Sequence, residues 1–365
     1  MSKSFLIVTD FYEPHISGIV TYINKLIDSL QSKNFEVTVL TTKHNIKLKK
    51  IESINKVNII RCKPTIKISR GFFSLELVSR FLKIYKDYDY VNIHLPLVEI
   101  FPIVFFLNKK KTIINYHCLP EFPFHLKFIR FYFYLFGIFA ILKSKFLIVL
   151  SKDYFNKFLF HKLFNKNLIE LPPYISLPKL KNLNKKINKK IIFGYLGRLC
   201  EEKGIEYLIL LSNYLFINKV EHELIIAGDL KDKRFKKYIN YIKDIAKNNK
   251  CTNFIGKLNT VQKEKFYNKI DLFILPSTNS FEAFGIVQLE AMSYGIPVIA
   301  SNINGVRTII KKTKNGYLFQ NRNIDDLIVK FNIFKKNKFK KNLIRKNLIK
   351  YYRKEIFIKK ISNLF

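Results

Sequence analysis

Two carboxylates, Glu282 and Glu290, sit eight residues apart in the run Ser280-Phe-Glu-Ala-Phe-Gly-Ile-Val-Gln-Leu-Glu-Ala-Met-Ser-Tyr-Gly-Ile-Pro-Val-Ile-Ala300. Glu282 belongs to the turn that follows a strand, and Glu290 to a helix that begins near Gly285. One carboxylate therefore faces the mouth of the helix and the other reaches back from its second turn. A helix start of this kind, formed by Phe284, Gly285, Ile286 and Val287, offers free N–H groups and a positive dipole end suited to a diphosphate. Carboxylates beside it can accept hydrogen bonds from sugar hydroxyls. Two Glu at this spacing on their own would as readily be a solvated helix face; the Phe-Gly and Ala-Met-x-x-Gly-x-Pro-Val surroundings favour a site.

A second set of candidates is cationic. Arg198 follows Gly197 and Lys203 precedes Gly204. An Arg fork and a Lys point charge suit a diphosphate that gains negative charge as it leaves. The competing reading, two surface cations among 65, is weakened by the glycines beside them. Gly18, in the first strand-to-helix turn, lets backbone approach phosphate because it lacks a Cβ. No G-x-G-x-x-G follows that strand, so a dinucleotide fingerprint is excluded. His117 and His94 each end a strand; His117 is open to a structural or a ligand-facing role, and His94 reads as structural or acceptor-side.

The elements that position these residues alternate along the chain. Phe5 to Thr9 is an apolar run of the kind that forms a parallel strand buried on both faces. Ile19, Tyr22, Ile23, Leu26, Ile27 and Leu30 fall at helical spacing behind a Ser17 cap, and Phe35 to Leu40 is the next strand. Further strand signals lie at Tyr90 to His94, Thr112 to His117 and Phe146 to Leu150. The pattern breaks at Leu171-Pro-Pro173. Strands return at Ile191 to Leu196, Glu223 to Ala227, Asp271 to Leu275 and Pro297 to Ala300, with a helix over Ile205 to Leu215. Two doubly wound α/β domains facing across a cleft are expected. Residues 1–176 form the N-terminal domain, 177–190 a basic linker, 191–345 the C-terminal domain, and 346–365 the last stretch of the chain.

The Glu282 to Glu290 stretch resembles the E-x7-E motif of the retaining glycosyltransferases with the GT-B fold, the large family 4, or group 1, that contains sucrose synthase-like and mannosyltransferase enzymes. Gly197-Arg198 with Lys203-Gly204 resembles its G-R-x-x-x-x-K-G segment, and Leu224 to Gly228 and Asp271 to Ser277 resemble its strands. Ile93 to Glu99, Tyr116-His-Cys118, Asp153-Tyr154 and Pro172-Pro173 are similar to residues of one branch. The resemblance implies that Glu290 binds the ribose, that Glu282 touches the donor sugar, that Arg198 and Lys203 neutralise the diphosphate, and that His117 lies against the donor sugar. It implies that 1–176 is the acceptor-side domain, that 191–345 binds the nucleotide sugar, and that 346–365 returns as a helix to the N-terminal domain; it also implies transfer with retention, by a front-face route in which the departing phosphate oxygen takes the acceptor proton. The sequence departs from the family at Ser17, where many relatives have a second glycine, at Thr308, where many have Glu, and at Tyr174, where a small residue is usual.

Composition bounds the rest. The 365 residues are 48% hydrophobic and 15% aromatic, which excludes a disordered chain. Lys and Arg total 65 against 27 Asp and Glu, for a net charge of +38. Drift of an AT-rich coding sequence explains the Lys-rich balance, and no nucleic-acid reading motif is visible, so no specific nucleic acid is expected. Cys62, Cys118, Cys200 and Cys251 form no CxxC pair, which argues against a zinc site and a disulfide framework. No metal and no cofactor are expected; the donor itself is a nucleotide diphosphate sugar and the acceptor a glycan or a lipid-linked one. The apolar run Phe5 to Val8 is too short for a secretory signal, and Phe131 to Leu142, between Arg130 and Lys143, is too short to span a bilayer. A cytoplasmic protein is expected. Phe122 to Leu142, with Lys127, Arg130, Lys143 and Lys145, reads for most of its aromatics as a core-packed helix; the alternative is contact with the anionic inner face of the cell membrane. Rival functions are a non-catalytic basic scaffold for membrane or polyanion, and a nucleotide-sugar epimerase of the same fold.

Overall fold

The computed structural model describes residues 3–68, 71–119, 127–158, 161–179 and 190–365. Residues 180–189, most of the expected linker, lie outside the described residues, as do 122–126 of the aromatic stretch. The chain forms two compact units. Unit 1 comprises Met1–Tyr174 and Glu355–Phe365, and unit 2 comprises Ile175–Lys354.

Unit 1 contains β1 (Ser4–Thr9), α1 (Gly18–Gln31), β2 (Glu36–Thr42), β3 (Ile51–Ile54), β4 (Val57–Cys62), β5 (Ile66–Ile68), β6 (Gly71–Phe73), α2 (Leu75–Ile84), β7 (Tyr90–Leu95), α3 (Ile100–Val104), β8 (Thr112–Tyr116), α4 (Lys127–Leu142), β9 (Phe146–Val149), α5 (Lys152–Phe155) and β10 (Leu168–Glu170). Its sheet runs β10-β9-β8-β7-β1-β2-β4-β3, parallel except for β3, which forms an antiparallel edge hairpin with β4. Phe5 to Val8 are buried, as a strand covered on both faces requires. α1 is started by the Ser17 hydroxyl, which accepts from the Val20 N–H, and its apolar stripe of Val20, Tyr22, Ile23, Leu26, Ile27 and Leu30 is buried. Full burial of such a Leu or Ile contributes up to about 1.5–3 kcal/mol.

Unit 2 contains β11 (Ile191–Leu196), α6 (Ile205–Ile217), β12 (His222–Ala227), α7 (Lys236–Ala246), β13 (Thr252–Gly256), α8 (Thr260–Lys269), β14 (Leu272–Leu275), α9 (Ile286–Ser293), β15 (Val298–Ser301), α10 (Val306–Thr313), β16 (Gly316–Phe319), α11 (Ile324–Lys336) and α12 (Lys341–Tyr352). The sheet is parallel throughout, in the order β13-β12-β11-β14-β15-β16. That order reverses between β11 and β14, the switch point where doubly wound sheets open a crevice beyond their strand ends. In unit 1 the reversal falls between β1 and β7. The last helix, α13 (Lys354–Ser362), packs in unit 1, where Phe357 meets the rings of Tyr22 and Tyr174 and Phe365 meets Phe5 edge-on.

The core-packed reading of the aromatic helix is corrected. In α4 only Gly137, Ala140 and Ile141 are buried, while Phe128, Phe131, Phe139 and Leu142 are exposed. The helix is apolar on nearly every side and packs only in part: Tyr132 Oη donates to Val98 O at 2.7 Å, the Phe101 and Phe136 rings lie 4.7 Å apart, and the Tyr134 ring lies 4.8 Å from that of Phe158.

Candidate active site

The switch point of unit 2 gathers three of the expected residues. After β11 the chain passes Gly197 and Arg198 and tightens into a 3₁₀ turn at Glu201–Lys203. Gly204 follows with a φ of +61°, and a Cβ there would lie 2.3 Å from the Pro276 carbonyl oxygen. Only glycine allows this close crossing with the loop that leaves β14. The two loops are tied further by Thr278, whose N–H donates to Glu202 O at 2.9 Å and whose hydroxyl donates to Glu201 O at 3.2 Å. Lys203 Nζ is thereby brought onto Glu282 Oε2 in an ion pair with both side chains largely covered. Glu282 Oε1 accepts from the Gly285 N–H at 2.9 Å. Gly285 heads α9 with a φ of +77° and gives the helix no side-chain cap; the Gln288 N–H turns back to Gly285 O at 2.9 Å, and among the described residues the Ile286 and Val287 N–H groups are left for another acceptor.

Arg198 stands at the edge of this group. Its side chain is 43% exposed, lies 3.8 Å from Glu202 Oε1, and carries its guanidinium 5.7 Å from the centre of the Phe281 ring. Its carbonyl accepts from Tyr195 Oη at 2.8 Å, which fixes the backbone. Glu290 lies one turn further along α9. Lys263 Nζ is 2.7 Å from its Oε2, and Tyr267 Oη donates to the same oxygen at 3.0 Å. Burial first, and the Glu290 charge second, hold the Tyr267 hydroxyl well above the usual tyrosine range, so it remains a donor. Lys263 and Tyr267 were not among the expected residues; their separation by one turn of α8 puts them on one face, but nothing in sequence says that this face meets α9. Phe284 is buried with its ring against Tyr352, so its contribution to a ligand is confined to its backbone. Thr308 is buried in α10.

Unit 1 places its candidates differently. Gly18 is the first residue of α1. His117 follows β8 and is buried with His94 in a chain of hydrogen bonds: His117 Nε2 to His94 Nδ1 at 2.8 Å, His94 Nε2 to Asn92 Oδ1 at 2.7 Å, and Asn115 Nδ2 to that same Oδ1 at 2.8 Å. The Asn92 oxygen can only accept, so His94 carries its proton on Nε2 and accepts at Nδ1. His117 then donates from Nε2 and keeps a lone pair on Nδ1. Burial favours the neutral ring in both, pushing His117 down to about 3 and His94 well below its usual value. Tyr174 is buried, with its hydroxyl donating to Asp28 at 3.3 Å. Two carboxyls given no role in the sequence expectations, although Glu99 ends the Ile93 to Glu99 run, lie at the switch point of unit 1: Asp10, after β1, accepts from the Val98 N–H, and Glu99, after β7, accepts from the Ser74 N–H at 2.7 Å. Among the described residues no group of His, Cys, Asp and Glu could hold a metal ion.

Two units of this topology define the GT-B class of fold. Sucrose-phosphate synthase from Thermosynechococcus elongatus shares it, with a TM-score of 0.78 over 99% of this chain and 98% of that one at 16% identity. The model of Glycosyltransferase Family 4 matches residues 16–161 and that of Glycosyl transferases group 1 matches residues 178–355; the chain belongs to this family of glycosyltransferases. An uncharacterised glycosyltransferase of Methanocaldococcus jannaschii is 35% identical over 144 residues, which is 38% of this chain. The Escherichia coli UDP-Gal:alpha-D-GlcNAc-diphosphoundecaprenol alpha-1,3-galactosyltransferase is 30% identical over 139 residues, also 38% of this chain. In both cases the match spans only 34% of the relative's own length.

Proposed function

We propose that the protein transfers a sugar from a nucleoside diphosphate sugar to an acceptor hydroxyl with retention at the anomeric carbon, as a hexosyltransferase. The observation that carries this reading is the Lys203–Glu282–Gly285 arrangement beside the uncapped head of α9, with Arg198 at its edge. The diphosphate meets the helix head and the two cations, which stabilise the charge that builds as it leaves. Glu282 turns to the donor sugar and Glu290 to the ribose, with Lys263 and Tyr267 holding Glu290 in place. Gly18 and His117 are the residues of unit 1 proposed to meet the donor. The departing phosphate oxygen takes the acceptor proton on the same face.

The acceptor in this reading is a glycan or a lipid-linked glycan; the name of the E. coli relative records an undecaprenol diphosphate acceptor for that protein. Among the described residues no helix is long and apolar enough to cross a membrane. The exposed rings of Phe101, Phe105 and Phe106 continue the exposed face of α4, and Lys143 Nζ reaches Phe105 O at 3.1 Å. Aromatics beside cations suit an anionic lipid surface, where a lipid-carried acceptor is met. The test is a thermal-shift screen of nucleotide sugars, followed by transfer from the best donor to glycan and lipid acceptors with the anomeric outcome read by NMR. Donor binding with acceptor-dependent, retained product is expected. An altered donor without acceptor favours the epimerase; polyanion binding insensitive to Glu282 and Glu290 favours the scaffold.

A further inference from the structure

We propose that α8 gives the site its ribose selectivity. Lys263 and Tyr267 are positioning residues that occupy one carboxylate oxygen of Glu290 and leave the other for the ribose hydroxyls, so that ribonucleoside diphosphates bind in preference to their deoxy counterparts. This deepens the sugar-transfer reading and rests on its assignment of Glu290.

Local sequence fixes the start of α8. Asn259 Oδ1 accepts from the Gln262 N–H at 2.9 Å and Gln262 Oε1 accepts from the Asn259 N–H at 3.0 Å, a capping box that sets the first turn after β13. Lys263 is the next residue and Tyr267 stands one turn on, so both occupy one face of the helix. The Tyr267 ring is buried, stacked on Tyr294 with centroids 5.1 Å apart and flanked by Phe273 at 6.2 Å, which fixes the direction of its hydroxyl.

Lys263 Nζ and Tyr267 Oη both reach Glu290 Oε2, at 2.7 and 3.0 Å. Two donors fill the lone-pair sites of that oxygen. Oε1 has no partner among the described residues and is not closed off from water, in a side chain that is 19% exposed. Lys263 is itself 36% exposed, and an ion pair so placed contributes little stability, so its convergence with a buried tyrosine on one oxygen serves orientation.

What the open oxygen takes follows from its charge. A carboxylate oxygen only accepts, so it repels phosphate and pairs with hydroxyls. Ribose offers two neighbouring hydroxyls to the two lone-pair sites of Oε1. A site that hydrogen-bonds a hydroxyl rejects the analogue lacking it, because its own polar group is left unpaired.

Calorimetric titration of the full chain with UDP, GDP and ADP, and with the 2′-deoxy and 3′-deoxy counterparts of each, tests the proposal. For the diphosphate that binds tightest, at least one deoxy counterpart should bind the wild type about tenfold or more weaker. In Tyr267→Phe, which keeps the ring, and in Lys263→Met, which keeps the aliphatic stem, that ratio should fall to about threefold or less through lost affinity for the ribonucleotide. Lys265→Met, which removes an exposed cation of the same helix, should keep the wild-type ratio. A purely structural role for the pair would weaken every ligand alike and leave the ratio unmoved. A ratio unmoved in whichever of the two variants folds, a ratio that falls equally in Lys265→Met, or equal binding of ribose and deoxyribose ligands by the wild type overturns the proposal while nucleotide binding stands. Binding of no nucleoside diphosphate at all overturns the sugar-transfer reading, and the proposal with it.

Discussion

At the switch point of unit 2, between β11 and β14, the ionisable groups face one another as opposite charges: Lys203 with Glu282, Arg198 near Glu202, and Lys263 with Glu290 a turn further on. At the switch point of unit 1, between β1 and β7, the corresponding groups have no ion pair among the described residues. Burial pushes the Asp10 carboxyl up to about 7, and burial together with the Asp10 charge pushes Glu99 up to about 8. Glu99 Oε2 has no partner among the described residues, and the two histidines beside this region are buried neutral. The same strand order thus supports two electrostatic regimes. Unit 2 sets carboxylates against cations, whereas unit 1 buries two carboxyls whose neutral forms are favoured, so pH near neutrality acts on the switch point of unit 1.

The comparison breaks most readily at the cations of unit 2. Arg198→Ala and Lys203→Ala should each lower turnover by about 10²- to 10³-fold, the loss typical of removing one stabiliser of a developing oxyanion. Their effects should fall short of multiplicative if both neutralise one diphosphate. Steady-state kinetics of the two single variants and the double variant measures this. Unfolding curves belong beside the Lys203 variant, because it strands the largely covered Glu282. Strictly multiplicative losses would assign the cations separate roles.

A smaller loss separates sugar from phosphate recognition. Glu282→Ala should reduce transfer by about 10- to 100-fold more than it reduces affinity for the free nucleoside diphosphate, the size expected from charge-assisted hydrogen bonds made only to the sugar. Equal losses in transfer and in diphosphate affinity would move Glu282 onto the phosphates.

The pH response sharpens the contrast from the side of unit 1. A carboxyl whose value is raised in the folded state holds its proton to higher pH than in the unfolded chain. For Asp10 that window runs from 3.8 to about 7 and for Glu99 from 4.5 to about 8. These two groups bind more protons in the folded state there, so their contribution to stability should fall as pH rises, by at most about 1.4 kcal/mol per pH unit for each. His94 and His117, whose values are lowered in the folded state, act with the opposite sign below their ordinary value of 6.5, so the carboxyls are read by difference. Asp10→Asn and Glu99→Gln, which resemble the neutral forms, should remove the falling contribution, and unfolding curves parallel to the wild type between pH 4.5 and 8.5 would contradict the assignment.

The smallest effect concerns the face of α4. Neutralising Lys127, Arg130, Lys143 and Lys145 should weaken binding to anionic vesicles by up to about 1 kcal/mol for each cation, with the loss shrinking as salt rises. Co-sedimentation beside a variant with four lysines neutralised between Lys179 and Lys190 measures it. Equal losses from the two variants would make the charge a general property of the surface.

How far this architecture was legible before folding depended on whether a signal was local. The parallel strands were, because strands covered on both faces must be continuous apolar runs, and β1, β11 and β14 begin and end within a residue or two of Phe5 to Thr9, Ile191 to Leu196 and Asp271 to Leu275. The Glu282 and Gly285 turn was legible too, since a glycine with positive φ and a carboxylate three residues before it are neighbours in sequence. The partners of Glu290 were not, because β14 separates α8 from α9 in the chain and the two helices meet only once it is folded. Asp10 and Glu99 were hidden for the same reason: each reads as an isolated polar residue at a strand end, and only the pairing of β1 with β7 brings them to one switch point. The exposed face of α4 was misjudged because an all-round apolar helix normally implies burial, and the sequence does not show which of its sides stay uncovered.

The claim that unit 2 binds the nucleotide through the head and second turn of α9 is tested most directly by calorimetric titration of UDP, GDP and ADP into the wild-type protein and Glu290→Gln. At least one nucleoside diphosphate should bind the wild type, and its affinity should fall in the variant by about 1.5–3 kcal/mol, the cost of losing charge-assisted hydrogen bonds to the ribose. Glu99→Gln, in unit 1, should titrate like the wild type. An affinity unchanged in Glu290→Gln, or no binding of any of the three to the wild type, would contradict the account.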